Sequence, residues 1–205
     1  MEGGQVAVMS DGITNFRQQL PFPPSPRAGA KEGIKRLDKD SKIAAGNVMP
    51  FARSGLGVAV RKGAPKPDIS SPEALKRALL AAKSITYNDP AGGGLSSSGI
   101  HITKVFERLG IAKEMKPKTV FANNDAGALV AAGKAEIGVT QMSSLMPLAS
   151  IDVVGPLPGD LQANTLNSAA IPAGAKNAAL AKALDNFLRN PESAKVIKAM
   201  GMDPA

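Results

Sequence analysis

A chain of 205 residues, 43% of them hydrophobic, is long enough to bury a core as one large domain or as two small lobes. It has no run of about 18 apolar residues that could span a membrane, and with no cysteine it has neither disulfides nor thiolate metal sites. A net charge of +8 suits nucleic acid, an acidic membrane or a small anion; the densest basic group, Lys31, Lys35, Arg36, Lys39 and Lys42, is broken by Glu32, Asp38 and Asp40 and lacks any nucleic-acid motif, so nucleic acid is set aside.

In chain order, Gln5 to Met9 reads as a short strand, with a helical start at Asp11. Pro21, Pro23, Pro24 and Pro26, followed by Gly29, make 20–30 a loop, because proline has no N–H to give. Lys31 to Ile43 is predicted helical. Ala52 to Val60 is a strand whose two glycines suggest a bulge or a close backbone approach. Ser71 to Ala82 is a helix with Leu75, Ala78, Leu79 and Ala82 on one face. Lys118 to Ala122 is a strand, Asp125 to Ala132 a helix closed by Gly133, and Glu136 to Met142 a strand. A helical turn over 143–148 precedes a strand from Ile151 to Val154, ended by Gly155-Pro156. Asn164 to Ile171 is extended, and Lys176 to Arg189 and Glu192 to Met200 are helices. Strands alternating with helices predict an α/β fold with a largely parallel sheet.

The stretch from Ser84 to Gly110 carries the first functional signal. A short β-prone segment, Ser84 to Tyr87, is stopped by Asn88-Asp89-Pro90 and followed by Gly92-Gly93-Gly94 and Ser96-Ser97-Ser98-Gly99. Ile102, Val105, Phe106 and Leu109 then give the stripe of a helix. A helix start offers unpaired N–H groups and the positive end of a macrodipole, which suit an anion. Three other helices fill this position with acid, through Ser71-Pro72-Glu73, Asn190-Pro191-Glu192 and Asn124-Asp125. The helix after Ser98 has no carboxylate until Glu107. The same residues also suit a serine-capped surface helix after a flexible loop.

Five phrases carry a family resemblance: ARSGLGVAVRKGAPKPDISSPEALKRALLAAKSITYNDP, SSSGIHITKVFERLGI, GKAEIGVTQMSSLMP, IDVVGPLPGDLQ and FLRNPESAKVIKAMGMDP. In this order they cover Ala52 to Pro204, and the chain resembles the molybdate-type periplasmic solute-binding proteins, the receptors of ABC importers. The resemblance implies a type II periplasmic-binding-protein fold, with two α/β lobes joined by crossing strands and a ligand in the cleft between them. The first lobe would comprise 1–60 plus 164–205 and the second 61–163. It also implies a periplasmic location, a monomer, an importer membrane subunit as partner, a small anionic ligand, and no cofactor or metal.

The anion-binding loop of the family matches Gly94 to Gly99, which makes Ser96, Ser97, Ser98 and Gly99 candidate ligand-binding residues. Its second contribution matches Gly138 to Gln141. Molybdate receptors carry a tyrosine where this chain has Gln141, whose amide suits a carboxylate or hydroxyl better than a bare tetrahedral oxyanion. The EIG-x-Q stretch is similar to aconitate isomerase, an enzyme on the same scaffold, so a tricarboxylate enters as a ligand class. At the N-terminus the resemblance stops. GGQVAVMS looks like a later strand of the first lobe, which would place Ser10 near the cleft. The expectation is that a signal peptide and the first βαβ unit, about 30 residues or more, are missing and the first lobe is incomplete.

His101, the sole histidine, is a candidate acid or base in the first helical turn or simply a half-exposed polar residue. Tyr87 and Asp89 are candidate lining residues, Asp89 also as the organiser of its turn. Asn123-Asn124-Asp125 reads as a helix cap or a rim. No catalytic residue is assigned: a binding protein is the first reading, and an aconitate-isomerase-like enzyme the alternative.

Overall fold

In the computed structural model, residues 7–9, 43–91, 97–172, 183 and 186–205 are described. Two compact units divide them, one within Gly55–Asn164 and the other combining residues up to Ser54 with those from Thr165 onward.

The Gly55–Asn164 unit is a three-layered α/β sandwich. Strand β2 (Ile43–Arg61) enters it at Gly55 and pairs antiparallel with β5 (Ile137–Gln141) on one side and with β6 (Ile151–Pro156) on the other. Strands β3 (Ile85–Asn88) and β4 (Thr119–Ala122) complete the sheet in the order β6-β2-β5-β3-β4, with β3 parallel to both neighbours. The sheet is therefore mixed rather than largely parallel, because β2 runs against β5 and β6. The period-2 alternation of a strand sends Leu56, Val58 and Val60, Ile85 and Tyr87, and Ile137 and Val139 to one face. There they meet helix α1 (Pro72–Ala81) through Leu75 and Leu79, and helix α2 (Ser97–Arg108) through Ile102, Val105 and Phe106. On the other face Ala59 joins Val130 of helix α4 (Ala126–Ala131) and Leu145 of helix α5 (Met142–Leu145). Between α2 and β4 lies a short helix α3 (Ala112–Met115), absent from the sequence-based expectation, whose Met115 is buried in the larger cluster.

Of the two features that glycine suggested in β2, the close approach is present, against a side chain, whereas the bulge lies in the facing strand β6. A Cβ at Gly57 would lie 2.2 Å from Met142 Sδ, so the strand lies tight beneath α5. The register against β6 shifts between Val58 and Ala59, where Val154 is the extra residue. Strand β6 runs on through Gly155 and Pro156, past the expected stop: Gly155 pairs with Val58, and Pro156, which cannot donate to the ladder, sits at the strand end. The segment after β6 is clamped by Gln162. Its Oε1 accepts from the Leu56 N–H at 2.8 Å and its Nε2 donates to the Leu56 carbonyl at 2.9 Å.

In the other unit, β1 (Ala7–Met9) pairs antiparallel with β7 (Asn164–Pro172), and the Ala52–Ser54 part of β2 pairs antiparallel with β8 (Met202–Pro204). Helix α6 (Pro191–Ala199) precedes β8, with Asn190 as N-cap and Pro191-Glu192 opening its first turn. Asn190 Oδ1 accepts from the Ser193 N–H at 2.7 Å. The expected helix over Lys31–Ile43 ends in a strand residue, since Ile43 begins β2, and 31–42 lie outside the described residues.

Candidate functional site

The site expected from sequence lies in the Gly55–Asn164 unit, where β3 hands over to α2. Helix α1 closes its own N-terminus: Ser71 accepts from the Ala74 N–H at 3.1 Å, and Glu73 lies in the first turn. Helix α2 has no acidic residue in its first turn, so no carboxylate of that turn meets the positive end of its dipole. Asp125 caps α4 by position only, because its Oδ1 accepts from the Asn123 N–H at 2.9 Å rather than from the helix.

Helix α2 starts hard against the end of β3. A Cβ at Gly99 would lie 2.0 Å from the Asn88 carbonyl oxygen, so glycine there lets backbone meet backbone. Ser98 and Gly99 are buried, and Ser97 is half-buried. On the sheet side, Asn88 Nδ2 donates to Ser98 Oγ at 3.3 Å and to Thr140 Oγ1 at 3.4 Å. Thr140 precedes Gln141, which is itself buried and whose Oε1 accepts from Ser143 Oγ at 3.5 Å. The structure thus brings the start of α2 and the end of β5 together through Asn88, which sequence reasoning had read only as a strand stop. Adjacent parallel strands end at Asn88 and Gln141, but nothing local in either segment pairs them. Ser96 and Ser10, the other two candidate residues, lie outside the described residues.

His101 is half-buried, and its Nε2 donates to the Leu161 carbonyl at 2.8 Å. That bond places the proton on Nε2 and gives the ring a structural task. Arg108, two turns on, donates to both the carbonyl and the carboxylate of Asp160. Tyr87 is a core residue rather than a lining one. It is 6% exposed and packs edge-on against Phe106 and Phe121. Burial pushes its phenol above the usual range. Asp89 organises its turn as expected, its Oδ1 accepting from the Ala91 N–H at 2.8 Å. Among the described residues no group of three or more His, Asp or Glu could hold a metal ion.

Comparison with known proteins gives the chain its setting. Residues 28–203 match the family described as bacterial extracellular solute-binding protein. An aconitate isomerase from Pseudomonas sp. is 36% identical over 172 residues, which cover 80% of this chain; the chain spans 63% of that relative's length. The periplasmic molybdate-binding protein of Azotobacter vinelandii superposes with a TM-score of 0.67 at 20% identity, covering 84% of this chain and 74% of the other. L-phospholactate-bound PEB3, a protein of Campylobacter jejuni, superposes with a TM-score of 0.60 at 17% identity, covering 81% and 72%. These structural likenesses establish the type II periplasmic-binding-protein fold.

Proposed function

The chain belongs to the bacterial extracellular solute-binding protein family, and from that membership we propose that it is the solute-binding component of an ABC importer that captures a small anion at the start of α2. The observation that carries this reading is the acid-free first turn of α2, seated on the end of β3 at Gly99. Backbone N–H groups, the dipole of a 12-residue helix and the polar residues Ser97, Ser98 and Gln141 would supply the hydrogen bonds. A neutralising cation is not essential to such a site. Ser96 and Ser10 remain proposed ligand-binding residues by family resemblance.

The ligand class follows from Gln141. Its carboxamide offers a donor and an acceptor, which fit a carboxylate or hydroxyl. An organic anion is therefore proposed ahead of molybdate, in keeping with the 36% identity to aconitate isomerase. We place the protein in the periplasm, as a monomer that delivers its ligand to an importer membrane subunit, on the strength of family membership.

The test is a thermal-shift screen against molybdate, tungstate, sulfate, phosphate, citrate and the aconitates. A ligand that binds only the folded chain adds about 2.7 kcal/mol of stability at a hundredfold excess over its dissociation constant. A shift confined to one anion class supports the reading; a cooperative transition that none of these anions moves counts against it.

The same 36% identity favours one second reading, an enzyme that isomerises a tricarboxylate. Such a reaction needs a proton donor and acceptor, and His101 is already committed through Nε2 to Leu161. Turnover of trans-aconitate that disappears in His101→Ala or Gln141→Ala would place the enzyme first.

A further inference from the structure

Asn88 occupies a costly position. It is 9% exposed at the end of β3, its Oδ1 is buried without a hydrogen-bond partner, and so is Thr86 Oγ1, two residues back on the same strand face. An unpaired buried acceptor costs stability that an apolar residue of similar size would not. What the carboxamide gives in return is two-handed donation, to Ser98 Oγ in the first turn of α2 and to Thr140 Oγ1 at the end of β5. The Asn88 carbonyl is also the surface on which Gly99 rests.

We propose that Asn88 is the positioning residue of the anion site, holding the start of α2 against the end of β5 while keeping that buried spot uncharged. The inference rests on the anion-binding reading above. The side chain has nearly the shape of aspartate, yet a carboxylate here would lie at the positive end of α2. It would fill that end from within, as Glu73 and Glu192 do for their own helices. An amide keeps the geometry and leaves the dipole to an external anion. Titratable groups on the surrounding elements are Tyr87 and Asp89 beside it in the chain, His101, Lys104, Glu107 and Arg108 along α2, and Asp125 beyond β4; β4, β5 and α4 bring none.

The experiment measures affinity of the full chain for molybdate and for trans-aconitate, before and after Asn88→Asp, at each pH from about 4.5 to 8, the range in which a buried carboxyl titrates. Taking the ratio to the unaltered chain at each pH cancels titration of the probe itself. Asn88→Asp is expected to bind at least about tenfold more weakly at the alkaline end, from repulsion between like charges at short range. The ratio should close toward one as the new carboxyl is protonated. Burying the new carboxylate lowers the melting temperature of unliganded Asn88→Asp as pH rises, so each affinity is read at a temperature where the unliganded variant is still folded at that pH. A ratio that stays constant across the series overturns the proposal. If Asn88→Asp does not fold, Thr140→Val decides: a loss of affinity with the melting temperature held supports the proposal, and unchanged affinity overturns it. The probe is replaced by whichever anion of the thermal-shift screen binds if these two do not; if the unaltered chain binds none of them, the anion reading itself fails and takes this inference with it, an outcome distinct from binding that ignores residue 88.

Discussion

Gly99 is the residue on which the local geometry turns. With the Asn88 carbonyl oxygen 2.0 Å from where a Cβ would be, Gly99→Ala has to push the first turn of α2 off the strand. Forced overpacking of this kind costs about 1–3 kcal/mol. The expected outcome is a lower melting temperature together with loss of the anion-induced shift, read in one thermal-shift experiment. His101 predicts a different pattern. Removing its bond to the Leu161 carbonyl in His101→Ala should cost about 1 kcal/mol of stability, and in a binding protein the anion-induced shift should persist. Tyr87 sets a pH dependence. Burial raises its pKa above the ordinary value of 10.0, so the folded chain keeps the phenol neutral where the unfolded chain ionises it. That contribution is fully present below about pH 10 and is lost as pH rises through the higher folded value. Alkaline denaturation should therefore be less steep in Tyr87→Phe, as measured by melting temperature across that range.

At the scale of elements, the two proline-opened helices show how far local chemistry reaches. Ser71-Pro72-Glu73 and Asn190-Pro191-Glu192 were legible as helix starts because a cap, a proline at the first position and an acid in the first turn act within one turn. Ser71→Ala should cost about 1 kcal/mol, and Leu79→Ala, 1% exposed on the core face of α1, about 2–5 kcal/mol; chemical denaturation of both variants checks the ranking. Elements that exist only by pairing were harder to read. Three-residue β8 is held by its ladder to Ala52–Ser54, about 150 positions earlier in the chain. Strand β6 crosses a Gly-Pro pair that locally reads as a stop, because β2 offers it a partner on the far side of a bulge.

For the whole molecule, the question is which electrostatic source would hold an anion. If the positive net charge of +8 did so at long range, binding would fade with salt. A site built on the start of α2 and buried hydrogen bonds predicts affinity that changes only a few-fold when the Debye length is cut to about 3 Å in 1 M salt. Titration at low and high salt separates the two.

The α/β class, the strand Ile85–Asn88 and the helix Ser97–Arg108 that follows it, the acid-free start of α2 and the family were all set by the sequence, since periodicity, capping residues and motif order are properties of neighbours along the chain. The tertiary structure alone decided the rest: that Asn88 reaches Thr140 across 52 positions, that His101 is spoken for by Leu161 across 60, and that Gln162 grips Leu56 across 106. Each of these is a hydrogen bond between groups with many equally good local partners. The choice among them is made by packing, when the sheet brings distant strand ends side by side and burial penalises any polar group left over.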